Sequence, residues 1–152
     1  MLLTLLACGV PDFSIDGKVD GHAFPSVGTA FYGGPYVLFA PEELECMDVA
    51  WVERNYREGE APTELDVTVL QVTFLSSDVE DGYYSVEGEA PLSAKLLSIA
   101  DGALTQYRAD AGTVEVEAFE WEDILSGTLD LTFDEGSFKS SWYAEWCLNL
   151  EE

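Results

Sequence analysis

The segment 12–23, DFSIDGKVDGHA, spaces oxygen-bearing side chains in the manner of a calcium-binding loop. Positions 1, 3, 5 and 9 of a twelve-residue loop of this kind are occupied by Asp12, Ser14, Asp16 and Asp20. The bidentate glutamate that such a loop needs at its last position is replaced by Ala23. Asp16-Gly17 between two short apolar runs is also typical of a two-residue hairpin turn. The sequence favours the hairpin and predicts no cofactor, with calcium as the alternative.

Catalytic chemistry has little support in the residue types and spacings of this chain. Its 30 Asp and Glu residues could supply a glycosidase pair, but such abundance singles out no particular pair. His22 is the only histidine and there is no G-x-S-x-G motif, which disfavours a serine hydrolase. Trp142 and Trp146 lie at even spacing around Ala144 and could stack on sugars. Core packing is the favoured role for these large aromatic residues in a β-domain.

The charge balance restricts the partners of the protein. Thirty acidic residues against six basic ones give a formal net charge of −24. Because the basic residues are scattered, we expect no nucleic-acid binding and no electrostatic docking to anionic lipid. Such a field favours cations, polyamines and basic proteins. Many acids alternate with apolar residues, as in 114–123, VEVEAFEWED, which predicts that Glu115, Glu117 and Glu120 cover a solvated face.

The elements that would position these residues are predicted to be short strands. From Phe13 onward, apolar and polar residues alternate in runs broken by turn residues. The run 65–76, LDVTVLQVTFLS, is rich in β-branched residues, which predicts a central strand. The run 45–56 fits a strand or a short helix, and 92–102 fits a short element with some helical spacing. About nine to ten strands with little helix predict an all-β fold, an antiparallel β-sandwich or barrel.

The first ten residues, MLLTLLACGV, could be an export signal or a first strand. The apolar run is shorter than the roughly 20 residues of a membrane span and the about 7–15 residues of a usual signal core. No basic residue precedes it, which is explained if Met1 is internal to a longer signal. Leu5-Leu6-Ala7-Cys8 resembles a bacterial lipobox, which implies cleavage before Cys8 and lipid on that cysteine. The alternative is a buried edge strand with Cys8 as an ordinary apolar residue.

The lipobox divides the chain into a truncated signal peptide (1–7), a lipidated tether (8–12) and a single β-domain (13–152). Lipid on Cys8 would hold the protein to a membrane. Of the three cysteines, this leaves Cys46 and Cys147 as one pair, and an exported domain meets oxidising conditions. A zinc site is disfavoured, because the chain has no C-x-x-C and a single histidine. We therefore expect a Cys46–Cys147 disulfide.

The chain resembles a group of secreted β-rich lipoproteins of deltaproteobacteria. The match lies in the terminal hairpin 127–147, GTLDLTFDEGSFKSSWYAEWC, the early segment 20–24, DGHAF, and the mid-chain Cys46. Ser140-Ser141 stand where a glycine is more usual in that group. The resemblance implies a location in the cell envelope, on the outer membrane or cell surface, and the same disulfide, and it implies no activity.

Together these observations predict a lipid-anchored envelope protein with a non-enzymatic structural or binding role. Cations or envelope glycans are the partners that an acidic surface with aromatic residues could take. One alternative is a hydrolase of envelope or extracellular polysaccharide, and another is an adhesive module stabilised by calcium. No pattern in the sequence indicates an oligomeric state.

Overall fold

A computed structural model of the chain describes residues 13–14, 18–19, 22–24, 27–41, 44–58, 66–75, 79–89, 91–120 and 123–150. Within these ranges one α-helix, α1, spans Cys46–Glu58, and a short 3-10 helix, η1, spans Leu148–Leu150. The strands are Phe13–Ser14 (β1), Lys18–Val19 (β2), His22–Ala23 (β3), Val27–Gly33 (β4), Tyr36–Pro41 (β5), Val67–Phe74 (β6), Gly82–Ser85 (β7), Leu92–Ala100 (β8), Ala103–Arg108 (β9), Ala111–Glu120 (β10), Ile124–Phe133 (β11) and Gly136–Trp146 (β12).

Ten of these strands form one sheet that curls into a half-barrel, in the order β7-β10-β11-β12-β1-β4-β5-β6-β8-β9. Neighbouring strands are antiparallel, while β12 also meets β4 in parallel at Glu145–Trp146. β9 continues into β10 through Ala109 and Asp110. The Ala109 N–H donates to the Ala94 carbonyl and the Asp110 N–H donates to the Thr132 carbonyl, so the chain turns a corner between the two halves of the sheet. The all-β prediction is confirmed.

The concave face of the sheet is filled by apolar side chains, a set that we call the inner core. Phe138 is fully buried there, with its ring centroid 5.6 Å from that of Phe24 and 5.6 Å from that of Phe133. Trp142 is 4% exposed and packs edge-on against Phe39 at 5.8 Å. Edge-to-face contacts of this kind are a favoured geometry for aromatic pairs. The predicted core role of Trp142 is therefore confirmed.

Helix α1 covers the opposite, convex face of the β4–β5–β6–β8 half. Val49 and Val52 of the helix belong to a second buried cluster that also contains Leu38 of β5 and Val69 of β6. This cover explains why β6, which lies between β5 and β8, is buried on both faces, as its sequence predicted. The Asp48 carboxylate accepts a hydrogen bond from the Glu45 N–H at 3.0 Å and so caps the first turn. The segment 45–56 is thus helical.

Strand pairing corrects the hairpin predicted at Asp16-Gly17. β1 pairs with β12 and with β4, whereas β2 pairs with β3 in a separate two-stranded sheet. A turn motif acts only on its immediate neighbours, and a hairpin of two-residue strands would be marginal by itself. In the large sheet β1 is hydrogen-bonded along both of its edges, which such a hairpin cannot provide.

Within the segment 92–102, Leu92–Ala100 form strand β8, against the helical spacing of some of its apolar residues. Ala94 and Leu96 face the inner core, while Ile99 belongs to the helix-side cluster. Because β8 has apolar environments on both faces, its pattern lacks the plain alternation of a half-exposed strand. β8 pairs with β6 without interruption, from Val67 opposite Ile99 to Phe74 opposite Leu92.

Gly127 of β11 lies so close to β10 that no side chain fits there. A Cβ atom at this position would press on the Glu115 carbonyl oxygen and lie 3.2 Å from the Val116 Cα, beside the β-bulge between Val116 and Ala118. We expect Gly127→Ala to lower the free energy of unfolding by about 3 kcal/mol, because only backbone displacement can relieve the overlap. Urea unfolding measures this loss.

Gly34→Ala is the matched control for that substitution. Gly34 has φ of 52°, but no atom lies within 4 Å of an added Cβ. The loss in the free energy of unfolding should then come only from the left-handed backbone, about 1 kcal/mol. Equal losses for the two variants would contradict the close approach of β10 and β11.

Candidate functional site

A groove runs across the outer face of β7, β10, β11 and β12. Side chains alternate across these strands, so Val114, Leu129 and Phe138 point into the inner core while their neighbours point outward. The groove has a volume of about 380 Å³. Its walls and floor are formed by Tyr83, Thr113, Glu115, Thr128, Leu129, Asp130, Lys139, Ser140 and Ser141.

Strand register arranges the outward side chains of the groove in two rows. The first row, in order across β7, β10, β11 and β12, is Tyr83, Glu115, Thr128 and Ser141. The second row is Ser85, Thr113, Asp130 and Lys139. Directly opposed residues in antiparallel strands have Cβ atoms about 4.5–5.5 Å apart, so each side chain can contact its neighbour in the row. The groove therefore combines one aromatic ring, several hydroxyls and two carboxylates.

An ion pair lies in the second row of the groove. The Lys139 Nζ donates to the Asp130 Oδ2 at 2.9 Å, and the two side chains are 79% and 53% exposed. Surface pairs of this kind contribute about 0–1 kcal/mol, because water and salt screen them. The pair thus positions the Lys139 ammonium without holding it strongly.

Tyr83 projects from the first row and is 72% exposed. Its hydroxyl donates a hydrogen bond to the Glu115 carboxylate, and this bond, with the negative charges of Glu115 and Glu117, raises the pKa of Tyr83 above 10.0. The bond requires the phenolic proton. It is therefore present below pH 10 and is lost as the pH rises through the raised pKa.

This arrangement predicts a late phenolate titration that belongs to Tyr83. The difference in absorbance at the phenolate band between wild type and Tyr83→Phe should rise above pH 10. Glu115→Gln should lower that midpoint toward the ordinary tyrosine value, because it removes the charge and replaces the carboxylate acceptor. An unchanged midpoint in Glu115→Gln would contradict the Tyr83–Glu115 contact.

The predicted disulfide is present in the structure. It joins Cys46, the first residue of α1, to Cys147, which follows β12, with an S–S distance of 2.05 Å and a Cα–Cα distance of 5.7 Å. The buried Cys147 also donates its N–H to the Tyr32 carbonyl at 2.8 Å. The bridge thus holds the start of the helix to the end of the last strand.

The lipidation and calcium predictions fall largely outside the described residues. This applies to Cys8 and the leucines before it, and to the proposed ligands Asp12, Asp16 and Asp20. Ser14 is the last residue of β1. Within the described ranges, no group of three His, Cys, Asp or Glu residues could hold a metal ion.

The groove was missed by the sequence analysis, which assigned Glu115 only to a solvated face. Glu117 and Glu120 are indeed exposed and Glu115 is half-buried. The alternating polar residues of 113–117 and 126–132 are the available signal. They show which side chains face outward but not which strands lie side by side.

Two carboxylates in one groove raise the possibility of glycoside hydrolysis. Glu115 and Asp130 are diagonal neighbours on β10 and β11 and line the same groove, and glycosidases likewise use two carboxylates in one cleft. A glycosidase acid normally lies in a water-excluding pocket that favours its protonated form. Here Asp130 is 53% exposed and paired with Lys139. Glu53, a residue of α1, is only 1% exposed, so a polymer could not reach it. The geometry fits binding better than hydrolysis.

Comparison with known proteins gives no relative for this chain. It matches no protein-family model, no curated protein and no solved structure. Among the described residues, no helix combines the length and the apolar character needed to cross a bilayer. The groove and the disulfide are therefore the features from which a function can be inferred.

Proposed function

We propose that this protein is a lipid-anchored component of the bacterial cell envelope that binds a partner and catalyses no reaction. The observation that carries the binding role is the placement of the groove on the outward face of the sheet. The inward face is occupied by the inner core, so ligands have access to the polar rows around Glu115 and Asp130 and not to the barrel interior.

Export to the envelope is supported by the cysteines. Disulfides persist in oxidising compartments, and the Cys46–Cys147 bridge is of the kind found in exported domains. The third cysteine, Cys8, follows Leu5-Leu6-Ala7 in the pattern of a lipobox. A diacylglycerol and an N-acyl chain on Cys8 would together give a stable anchor.

Metabolic labelling tests the anchor. The gene, expressed with its upstream sequence in a bacterium, should incorporate labelled palmitate into the protein, and Cys8→Ser should abolish the label. Cys46→Ser with Cys147→Ser is the control and should keep the label, because neither residue lies at the lipobox. Absence of label in the wild type, or label that survives Cys8→Ser, would overturn the proposal.

Polysaccharide hydrolysis is the second candidate, favoured by the diagonal Glu115–Asp130 pair. Incubation of the protein with peptidoglycan or secreted polysaccharide should release no reducing ends under our proposal. Release that both Glu115→Gln and Asp130→Asn abolish would establish the hydrolase instead.

The third candidate is an adhesive module stabilised by calcium, and the response of the melting temperature to calcium tests it. At a net charge of −24, raising the ionic strength with NaCl should raise the melting temperature by screening self-repulsion. CaCl2 at matched ionic strength should give the same rise. An additional increase with calcium, removed by Asp16→Asn, would support the calcium module.

A further inference from the structure

We propose that the groove binds an arginine side chain of an extended basic partner segment, with the guanidinium between Tyr83 and the carboxylates of Glu115 and Asp130. This inference rests on the proposed binding role and names the chemistry of the partner. It uses three features of the groove, namely an open aromatic face, two carboxylates at a suitable spacing, and a resident cation that an incoming one can replace.

The aromatic face is supplied by Tyr83. The ring is 72% exposed at the end of the first row, so a ligand can reach it. Its hydroxyl is directed to Glu115, which holds the ring beside a negative charge. A guanidinium stacks on such a ring through cation–π attraction while its N–H groups point sideways to acceptors.

The carboxylates lie where a guanidinium could reach both. Glu115 is beside Tyr83 in the first row, and Asp130 is its diagonal neighbour on β11, about 7–8 Å away at Cα. A guanidinium presents five N–H donors in a planar fork, so one group can donate to two carboxylates. The hydroxyls of Thr113 and Thr128 complete the floor with further polar contacts.

Lys139 pairs with Asp130, one of the two carboxylates that the incoming guanidinium would use. It is the only basic residue in the groove lining, and it pairs with Asp130 at 2.9 Å with most of its side chain in water. Such an exposed ammonium can swing away at little cost when a guanidinium with more donors arrives. The charge of the whole protein, −24, also attracts a basic segment and repels an acidic one.

An NMR titration of the full-length chain tests the proposal. The probe is the peptide acetyl-Gly-Arg-Gly-Arg-Gly-amide, and backbone amide shifts of 113–115 and 128–130 should change with a single dissociation constant. The same peptide with citrulline in place of arginine keeps the shape without the charge. It should bind at least tenfold more weakly.

Groove variants separate the site from the general field of the protein. Tyr83→Ala leaves the net charge unchanged and should weaken binding about three- to fivefold. Glu115→Gln should weaken it about five- to tenfold. Glu58→Gln, on the exposed end of α1, removes the same charge outside the groove and should change affinity less than twofold. Lys139→Gln should tighten binding about threefold, because it frees Asp130.

Three outcomes would overturn the inference. The first is equal weakening by Glu115→Gln and Glu58→Gln, which would make the attraction a property of the net charge alone. The second is weaker binding to Lys139→Gln. The third is binding of neutral dextran at the same amides, unaffected by 0.5 M NaCl, which would make the groove a glycan site. Palmitate labelling tests the lipid anchor on Cys8 without using the groove. Failure of the arginine site would therefore leave the proposed anchoring intact.

Discussion

Replacement of both Cys46 and Cys147 by alanine should lower the free energy of unfolding by about 4 kcal/mol. The bridge joins residues 101 apart in sequence, and the chain-entropy model gives about 4.7 kcal/mol for closing a loop of this size. Loss of the bridge frees the unfolded chain, and it also releases the first turn of α1 from the end of β12. We expect a smaller observed value than the model gives, because the unfolded state retains structure.

Urea unfolding followed by tryptophan fluorescence measures this effect. The m-value should rise in the double variant, because an unfolded chain without the bridge exposes more surface. Dithiothreitol should bring the wild-type midpoint down to that of the double variant and leave the double variant unchanged. Cys8→Ala is the matched control, since it removes a cysteine that the bridge does not use. A wild-type midpoint that does not respond to the reductant would contradict the bridge.

Local patterns predicted the strands of this fold well, because alternation and β-branched residues act within a few positions. The segment 65–76 was predicted as a central strand and forms β6 between two partners. The sequence of 45–56 fits a strand or a short helix. In the structure, the helix buries Val49, Ala50 and Val52. What decides for a helix is the apolar convex face of β4–β5–β6–β8, which needs a cover. That need exists only once the sheet has formed.

Pairing between distant segments could not be predicted from the same patterns. Phe13 lies opposite Trp142 and Gly28 at once, so β1 completes the sheet between β12 and β4 instead of turning back on β2. Nothing near Asp16-Gly17 encodes this choice, because the partners come from both ends of the chain. The predicted nine to ten strands match the ten of the large sheet, while the separate β2–β3 pair and the order of the strands were not predicted.

In the groove, too, local patterns could be predicted and long-range strand pairing could not. Glu115 and Asp130 lie on adjacent strands joined by a short connection, so their shared face follows from alternation once the two strands pair. Tyr83 comes from β7, which pairs with β10 although β8 and β9 lie between them in sequence. The aromatic wall of the groove therefore depends on long-range pairing, and no short motif marks it.

Phe138→Ala should be the most damaging single substitution in the inner core, with a loss of about 4 kcal/mol in the free energy of unfolding. The side chain is fully buried and contacts the rings of Phe24 and Phe133. Its removal forfeits the transfer free energy of the ring and leaves a cavity that the surrounding ladder strands cannot close. Phe138→Leu, which keeps most of the volume, should lose only about 1.5 kcal/mol.

The cavity itself provides a test that separates packing from general damage. An apolar cavity of ring size stays dry and can bind benzene. Benzene should therefore raise the melting temperature of Phe138→Ala and leave wild type unchanged. The experiment needs the oxidised protein, because the losses from Phe138→Ala and from the missing bridge would together approach the total stability of a typical domain, about 5–15 kcal/mol. If Phe138→Ala unfolds at the wild-type midpoint, the concave face is not the close-packed core on which the outward placement of the binding groove depends.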